Sequence, residues 1–144
     1  MKQLKIVLIG YGKMGRIIEH IAQERGHQVV LRIDRGEEAL FDDPRFASAD
    51  VAIEFTSPQA AYANCLKTLE RGLPLVSGST GWSERLPELK ALCEREGKTF
   101  FWSSNFSIGV YLFRRLVAQA SRLMQLAPDY QLSMSETHHV HKLD

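Results

Sequence analysis

Several features that mark specialised proteins are scarce in this sequence of 144 residues. It has only two cysteines, Cys65 and Cys93, and both lie in segments with a helical pattern. They lack CxxC spacing, so we expect neither a disulfide framework nor a redox or metal pair. Its 18 basic residues nearly balance its 17 acidic residues, and no basic block exceeds Arg114-Arg115. This distribution argues against nucleic acid or an anionic membrane surface as the main partner.

Long hydrophobic runs are also missing. The first apolar run covers only Ile6 to Ile9, which is too short for a secretion signal. The next most apolar stretch, from Ile108 to Met124, is interrupted by arginines and is not expected to span a bilayer. We therefore expect a cytoplasmic protein with no membrane partner. A hydrophobic content of 44% and a charged content of 24% are typical of a globular chain.

The sequence does contain a regular alternation of short apolar strands and amphipathic helices. Candidate strands cover 5–9, 29–33, 51–56, 73–77, 99–102 and 130–136, and candidate helices cover 14–25, 58–71, 83–96 and 107–126. Such alternation indicates βαβ units and a parallel sheet with helices on both faces. We therefore predict an α/β fold with a doubly wound, Rossmann-like sheet that extends to about residue 127.

A glycine-rich turn, Gly10-Tyr11-Gly12-Lys13-Met14-Gly15, joins the first strand to the first helix. In a dinucleotide-binding turn the first glycine permits the tight turn, the second admits a pyrophosphate and the third allows close packing. Asp34 ends the second strand about 20 residues further on, where a carboxylate binds the adenosine ribose. Arg35 could stack on adenine or bind a 2′-phosphate, so the pair predicts a site for NADH or NADPH. The alternative is a simple Asp-Arg-Gly turn with glycines that serve packing only.

Three further loops follow strands whose carboxyl ends meet at one edge of such a sheet. They are rich in small hydroxyl and amide residues, and their candidate ligand residues are Phe55, Thr56, Gly78, Ser79, Thr80, Ser103, Ser104, Asn105 and Phe106. Ligands of doubly wound sheets lie outside these strand ends, so the loops are suited to hydrogen bonding with a ring amide. Turn formation and helix capping explain any one loop equally well.

A cluster of proton-donating side chains, His138, His139, His141 and Lys142, follows Glu136. Imidazoles and an ammonium group can donate protons near neutral pH and attract a carboxylated substrate. A zinc site is less favoured, because adjacent histidines in extended chain point to opposite faces and neither partner cysteines nor HExxH spacing is present. We therefore predict no metal, and a solvated polar tail remains as a third interpretation.

Taken together, these motifs resemble the dihydrodipicolinate reductase family of lysine and diaminopimelate biosynthesis. The resemblance runs through nearly the whole chain in the order GYGKMG, EFTSP, SGSTG, NFSIGV and ETHHVHK. It implies NAD(P)H-dependent reduction of 4-hydroxy-tetrahydrodipicolinate, a small dicarboxylate, to tetrahydrodipicolinate. It also implies that the glycine turn with Asp34 and Arg35 holds the adenosine end of the cofactor, while residues 78–80 and 103–106 surround the nicotinamide.

The resemblance assigns roles in the histidine cluster as well. It makes His138 a proton donor or acceptor, Lys142 the second proton donor and His139 a contact to a substrate carboxylate. The stretch between Asp34 and Glu54 is short for the family, so one helix and one strand of the usual sheet are expected to be reduced or missing. The family continues into a tetramer-forming domain, so residues 128–144 would begin a substrate-binding α+β domain that is truncated here, and a homo-oligomer is expected.

Two other functions remain open from the residues alone. Another small-substrate NAD(P)-dependent dehydrogenase would share the glycine turn but would not need the histidine cluster. A non-catalytic NAD(P)-binding module would bind the cofactor without turning it over. An activity assay beside a cofactor titration distinguishes a catalyst from such a module.

Overall fold

A single parallel sheet organises the computed structural model, which describes residues 2–131 and 133–137. Its five strands are β1 (Lys5–Ile9), β2 (Gln28–Ile33), β3 (Val51–Glu54), β4 (Leu75–Ser77) and β5 (Phe100–Trp102). They lie in the order β2-β1-β3-β4-β5, and every neighbouring pair is parallel. The predicted α/β fold with a doubly wound, Rossmann-like sheet is confirmed.

The helices connect the strands much as the sequence pattern predicts. They are α1 (Lys13–Glu24), α2 (Pro44–Ala47), α3 (Pro58–Glu70), α4 (Leu86–Glu96) and α5 (Ile108–Met124), with 3₁₀ turns at Glu38–Asp42 and Ser83–Arg85. Gly97 ends α4 in the left-handed conformation with φ 64°, which a residue with a side chain rarely adopts. Helix α4 begins later than the sequence suggests, because residues 83–85 form the 3₁₀ turn instead of its first turn.

The connection between β2 and β3 is reduced, as the short sequence in this region predicts. It contains only the 3₁₀ turn Glu38–Asp42 and the four-residue helix α2. The Asp43 side chain caps α2 by accepting a hydrogen bond from the Arg45 amide at 2.8 Å. Phe41 and Phe46 are buried with their ring centroids 5.4 Å apart, and they anchor the segment in the core.

The core has two parts because β1 is buried on both faces of the sheet. Val7 and Ile9 belong to the larger hydrophobic cluster, whereas Ile6 and Leu8 pack with Ala22 in the smaller one. Alternate residues of a strand point to opposite faces, so one apolar run supplies both clusters. Because β1 also pairs in parallel with β3, with Ile9 opposite Glu54, the carboxyl ends of the two strands lie side by side.

The chain divides into two compact units, Met1–Ser104 and Asn105–Asp144. In the second unit, the Ser107 hydroxyl caps α5 by accepting a hydrogen bond from the Val110 amide at 3.3 Å. The expected strand over 130–136 is wrong for residues 130, 131 and 133–136, which form no strand. Their alternating pattern has no partner strand in the described sheet, and an extended segment needs such a partner to form a ladder. The assignment of 1–127 and 128–144 to cofactor and substrate domains remains a prediction.

The helices formed by the described residues include none with the length and apolarity needed to cross a bilayer.

Candidate functional site

A cleft of about 370 Å³ lies at the carboxyl ends of β1, β2 and β3. The strand order changes direction between β1 and β3, and ligands of doubly wound sheets bind at this switch point. The predicted ligand residues among those that line the cleft are Gly10, Tyr11, Gly12, Asp34, Arg35, Phe55 and Thr56. The structure therefore brings both halves of the predicted adenosine site together with the loop that follows β3.

The three glycines of the β1–α1 turn have different steric surroundings. A Cβ at Gly10, where φ is +88°, would lie 2.0 Å from the Phe55 carbonyl oxygen, and a Cβ at Gly15 would lie 2.4 Å from the Gly10 carbonyl oxygen. A Cβ at Gly12 would have no atom within 4 Å. Gly12 is also the N-cap of α1, whose first turn has no acidic residue and no side-chain cap. The open space and the helix N-terminus together fit a phosphate group.

Tyr11, the second residue of the glycine turn, is held in place by α1 and β2. Its hydroxyl donates a hydrogen bond to the buried carboxylate of Glu19, which also accepts a hydrogen bond of 3.0 Å from Nε of Arg32. The guanidinium groups of Arg16 and Arg32 lie 5.7 and 5.5 Å from the centre of the Tyr11 ring. These contacts fix the turn to both α1 and β2.

The end of β2 combines two carboxylates with a guanidinium. The Asp34 side chain accepts a hydrogen bond of 2.9 Å from the Arg35 amide, and Glu38 accepts one of 3.3 Å from the Gly36 amide. Hydrogen bonds from the Glu38 and Gly36 amides hold the pKa of Glu38 below its ordinary value. Glu38 lines the cleft beside Asp34 and Arg35, so this wall can bind both hydroxyl groups and an anion.

Glu54 is the last residue of β3, directly before the loop that contains Thr56, and it is completely buried. Its Oε1 atom accepts hydrogen bonds from the Thr56 amide at 2.9 Å, from the Ser79 hydroxyl at 2.7 Å and from the Thr56 hydroxyl. Its Oε2 atom accepts a hydrogen bond from the Ser77 hydroxyl at 2.5 Å. Cys65 Sγ lies 3.8 Å from Oε2, and burial followed by the Glu54 charge raises the pKa of this thiol.

Two indole groups hold the loop that follows β4. The carbonyl oxygen of Ser79 accepts hydrogen bonds of 2.8 Å from the Nε1 atoms of both Trp82 and Trp102. The loop also packs tightly on the residue that follows β3, since a Cβ at Gly78 would lie 2.1 Å from the Phe55 ring. Residues 78–80 do not line the cleft itself, but Gly78 and Ser79 contact Phe55 and Thr56, which do.

The remaining predicted site residues fall into four groups. Lys13 and Met14 begin α1, and Ser103 and Ser104 follow β5, outside the cleft lining. Asn105 and Phe106 belong to the second compact unit, where Asn105 Oδ1 accepts a hydrogen bond of 2.8 Å from the Ser107 amide. His138, His139 and Lys142 lie outside the described residues. All these residues stay predictions as ligand or catalytic groups.

The cleft residues that sequence reasoning missed include Glu38, Phe41 and Asn64, and it also missed the buried Glu54. Residues 36–42 have no apolar periodicity, so nothing in the pattern singles out Glu38 or Phe41. Glu54 had a usable signal, because a carboxylate at the end of an otherwise apolar buried strand needs a local explanation.

A doubly wound parallel sheet with a glycine turn at its switch point defines a domain of the Rossmann-like dinucleotide-binding class. Within that class, a family model described as "Dihydrodipicolinate reductase, N-terminus" matches residues 4–106. The chain belongs to this family.

Curated relatives agree with the family match. The 4-hydroxy-tetrahydrodipicolinate reductase of Christiangramia forsetii is 38% identical over 141 residues, which cover 98% of this chain and 58% of the relative. The protein of the same name from Staphylococcus saprophyticus is 35% identical over 150 residues, which cover 98% of this chain and 59% of the relative. This chain therefore spans less than two thirds of the length of these relatives.

One solved structure, a homoserine dehydrogenase from Thiobacillus denitrificans, has a TM-score of 0.49 and 16% identity over 71% of this chain and 30% of its own. That similarity is too low to carry information on function.

Proposed function

We propose that this chain forms the cofactor-binding part of a 4-hydroxy-tetrahydrodipicolinate reductase that uses NADH or NADPH. The observation that carries the proposal is the steric difference among the three glycines at the switch point. Gly10 and Gly15 have no room for a side chain, whereas Gly12 faces open space in the cleft at the start of α1. The names of the curated relatives supply the reaction.

Each part of the cleft suits one part of the cofactor. The α1 N-terminus and Gly12 would bind the pyrophosphate, and Asp34 would accept hydrogen bonds from the ribose. Arg35 would stack on adenine or bind the 2′-phosphate of NADPH. The loops containing Thr56 and Ser79 would contact the nicotinamide end. The bound nicotinamide supplies the hydride, and the protein contributes position and electrostatics.

The substrate half of the proposal rests on the sequence. His138 and Lys142 would control the proton that accompanies hydride transfer, and His139 would contact a carboxylate of the small dicarboxylate substrate. By analogy with the full-length family, we also propose a homotetramer in the cytoplasm, with residues 128–144 at the start of the substrate-binding domain.

The cofactor part is tested by calorimetric titration of this chain with NADH. A preformed site should give saturable binding in the micromolar range, or about −8 kcal/mol. A folded sample, verified by circular dichroism, that shows no binding up to millimolar NADH would contradict the proposal.

The catalytic part is tested in a longer protein that contains this chain and the rest of the family's length. His138→Gln and Lys142→Ala should each lower kcat by about 10²- to 10⁴-fold with little effect on NADH affinity. His139→Ala should mainly raise KM, because a carboxylate contact is made before the transition state. His20→Gln is the matched control, since His20 lies exposed on α1, where its side chain is 73% accessible. Full activity in all three variants would contradict the proposed catalytic and substrate-binding roles of the histidine cluster.

A further inference from the structure

The role of Glu54 extends beyond packing at the end of β3. Building on the proposed function, we infer that Glu54 is a positioning residue for the nicotinamide end of the cofactor. Its carboxylate ties the loop after β3 to the loop after β4, and because Glu54 is fully buried it acts without touching the cofactor. Neither the family match nor the relatives' names assign it a role.

Placing a carboxylate at this buried position costs free energy. Among residues 2–131 and 133–137, no cationic side chain forms an ion pair with Glu54. A buried carboxylate without a cation is stable only when hydrogen bonds replace its hydration. The sheet itself does not need the side chain, because the Glu54 carbonyl oxygen already accepts the Gly78 amide at 3.0 Å. The carboxylate is therefore explained by the donors that it gathers.

The donors around Glu54 match a carboxylate better than an amide. The Thr56 amide donates to Oε1 from a fixed backbone position, and the hydroxyls of Thr56, Ser77 and Ser79 and the Cys65 thiol are the other donors. The Ser79 hydroxyl also accepts from the Thr56 amide at 2.7 Å, which closes a triangle among Glu54, Thr56 and Ser79. An ionised carboxylate accepts through both oxygens and has no donor of its own. A glutamine would turn an NH₂ group towards one set of donors.

Glu54 connects a loop that lines the cleft with a loop that lies beside it. Thr56 lines the cleft, and Ser79 is held from its other side by the indoles of Trp82 and Trp102. Glu54 Oε1 is the acceptor shared by both loops, and it reinforces the direct hydrogen bonds between Ser79 and Thr56. Without this carboxylate the Ser79 loop keeps its indole contacts and its bonds to Thr56, but the junction between the two loops loses its common acceptor. Within the part of the chain that the structure describes, neither Asp34 nor Arg35 forms a hydrogen bond with this network, so the adenosine side should be unaffected.

The experiment compares two ligands that differ at the nicotinamide end. NADH and ADP-ribose share the adenosine and pyrophosphate groups, but ADP-ribose lacks the nicotinamide. In the 144-residue chain, Glu54→Gln should weaken NADH binding about tenfold, since a charge-assisted hydrogen-bond network is lost. It should change ADP-ribose binding less than about twofold, because that ligand lacks the nicotinamide that the two loops are proposed to contact. Glu54→Asp, which keeps the charge, should recover part of the NADH affinity.

Two serine variants provide the matched control, including the case in which Glu54→Gln does not fold. Ser79→Ala removes the hydroxyl on Oε1 between the loops, and Ser77→Ala removes a buried hydroxyl on Oε2 inside β4. Both should lower the urea midpoint. Only Ser79→Ala should lower the ratio of NADH affinity to ADP-ribose affinity.

The outcomes separate this inference from the proposed function. An unchanged affinity ratio in Glu54→Gln and Ser79→Ala, with normal NADH binding by the wild type, would overturn the inference alone. The same would follow if Ser77→Ala changed the ratio as much as Ser79→Ala does, because Glu54 would then act on stability in general. Absence of NADH binding by the wild type would overturn the proposed function and the inference together.

Discussion

At the scale of single residues, the β1–α1 turn shows why identical residue types cannot be treated alike. The missing side chain of Gly10 lets the turn approach the backbone that follows β3. The missing side chain of Gly15 lets α1 pack closely on the turn. Gly12 has free space around it and a φ of −79°, which residues with side chains readily adopt. The packing of the fold therefore does not require glycine at this position, whereas the proposed pyrophosphate would.

This difference leads to a prediction for two alanine variants. Gly12→Ala should change the free energy of unfolding by no more than about 1 kcal/mol, since its Cβ meets nothing and only the N-cap preference is lost. It should weaken NADH binding at least about tenfold, because the methyl group takes the space proposed for the pyrophosphate. Gly15→Ala should lower the stability by about 1–3 kcal/mol through overpacking.

Urea unfolding and NADH titration of the same preparations measure both effects. Wild-type NADH affinity in folded Gly12→Ala would show that the phosphate does not bind at this turn.

Single residues of the site were predictable where local sequence carries the signal. The glycine spacing and Asp34 depend on one strand–turn–helix unit, which the sequence shows directly. Glu38, Phe41 and Asn64 reach the cleft only through tertiary packing, so no local pattern indicates them. Glu54 was visible as a polar residue in a buried strand, but its partners Ser77 and Ser79 come from the next βα unit.

At the scale of elements, prediction succeeded wherever apolar periodicity was supported by a start or stop residue. Pro58 lies in the first turn of α3, and Gly72 and Gly97 follow the ends of α3 and α4 with positive φ. The strand prediction failed for residues 130, 131 and 133–136, because a strand depends on a neighbour that no local pattern reveals. The pattern also did not predict the 3₁₀ turn Glu38–Asp42 or α2, because both are too short to show a period.

The reduced connection between β2 and β3 supplies an element-scale prediction. Phe41 and Phe46 are equally buried and pack on each other, but only Phe41 lines the cleft. Phe41→Leu and Phe46→Leu should each destabilise the protein by about 1–2 kcal/mol, as expected for a loss of packed volume. Only Phe41→Leu should also change the affinity for ADP-ribose.

Thermal unfolding and calorimetric titration of the two variants test this expectation. Equal effects on ligand affinity would mean that the whole segment, and not the Phe41 ring, shapes the adenosine side of the cleft.

At the scale of the whole molecule, the two compact units differ in how they are stabilised. Both hydrophobic clusters consist entirely of residues before position 105, and α5 contributes no buried residue. Large apolar side chains of α5 are exposed, among them Leu116, 64% exposed, and Leu123, 66% exposed. The stability of the described chain therefore resides in the unit Met1–Ser104.

A chain that ends at Ser104 should accordingly fold by itself. We expect one cooperative unfolding transition with a midpoint close to that of the 144-residue chain, because every buried cluster is retained. We also expect less self-association, since the exposed apolar residues of α5 are removed. Circular dichroism melting and analytical ultracentrifugation of the two chains make the comparison, and a non-cooperative melt of the shorter chain would contradict the assignment of the core.

The two indoles on the Ser79 carbonyl have an optical consequence. Trp82 and Trp102 are the two tryptophans of the chain, and both lie at the loop proposed to contact the nicotinamide. The emission of tryptophan overlaps the absorption of reduced nicotinamide, so excitation energy would pass from these indoles to a bound NADH. The protein thereby carries its own donor for resonance energy transfer, and the occupancy of the site could be followed in unlabelled protein by the light that the cofactor emits.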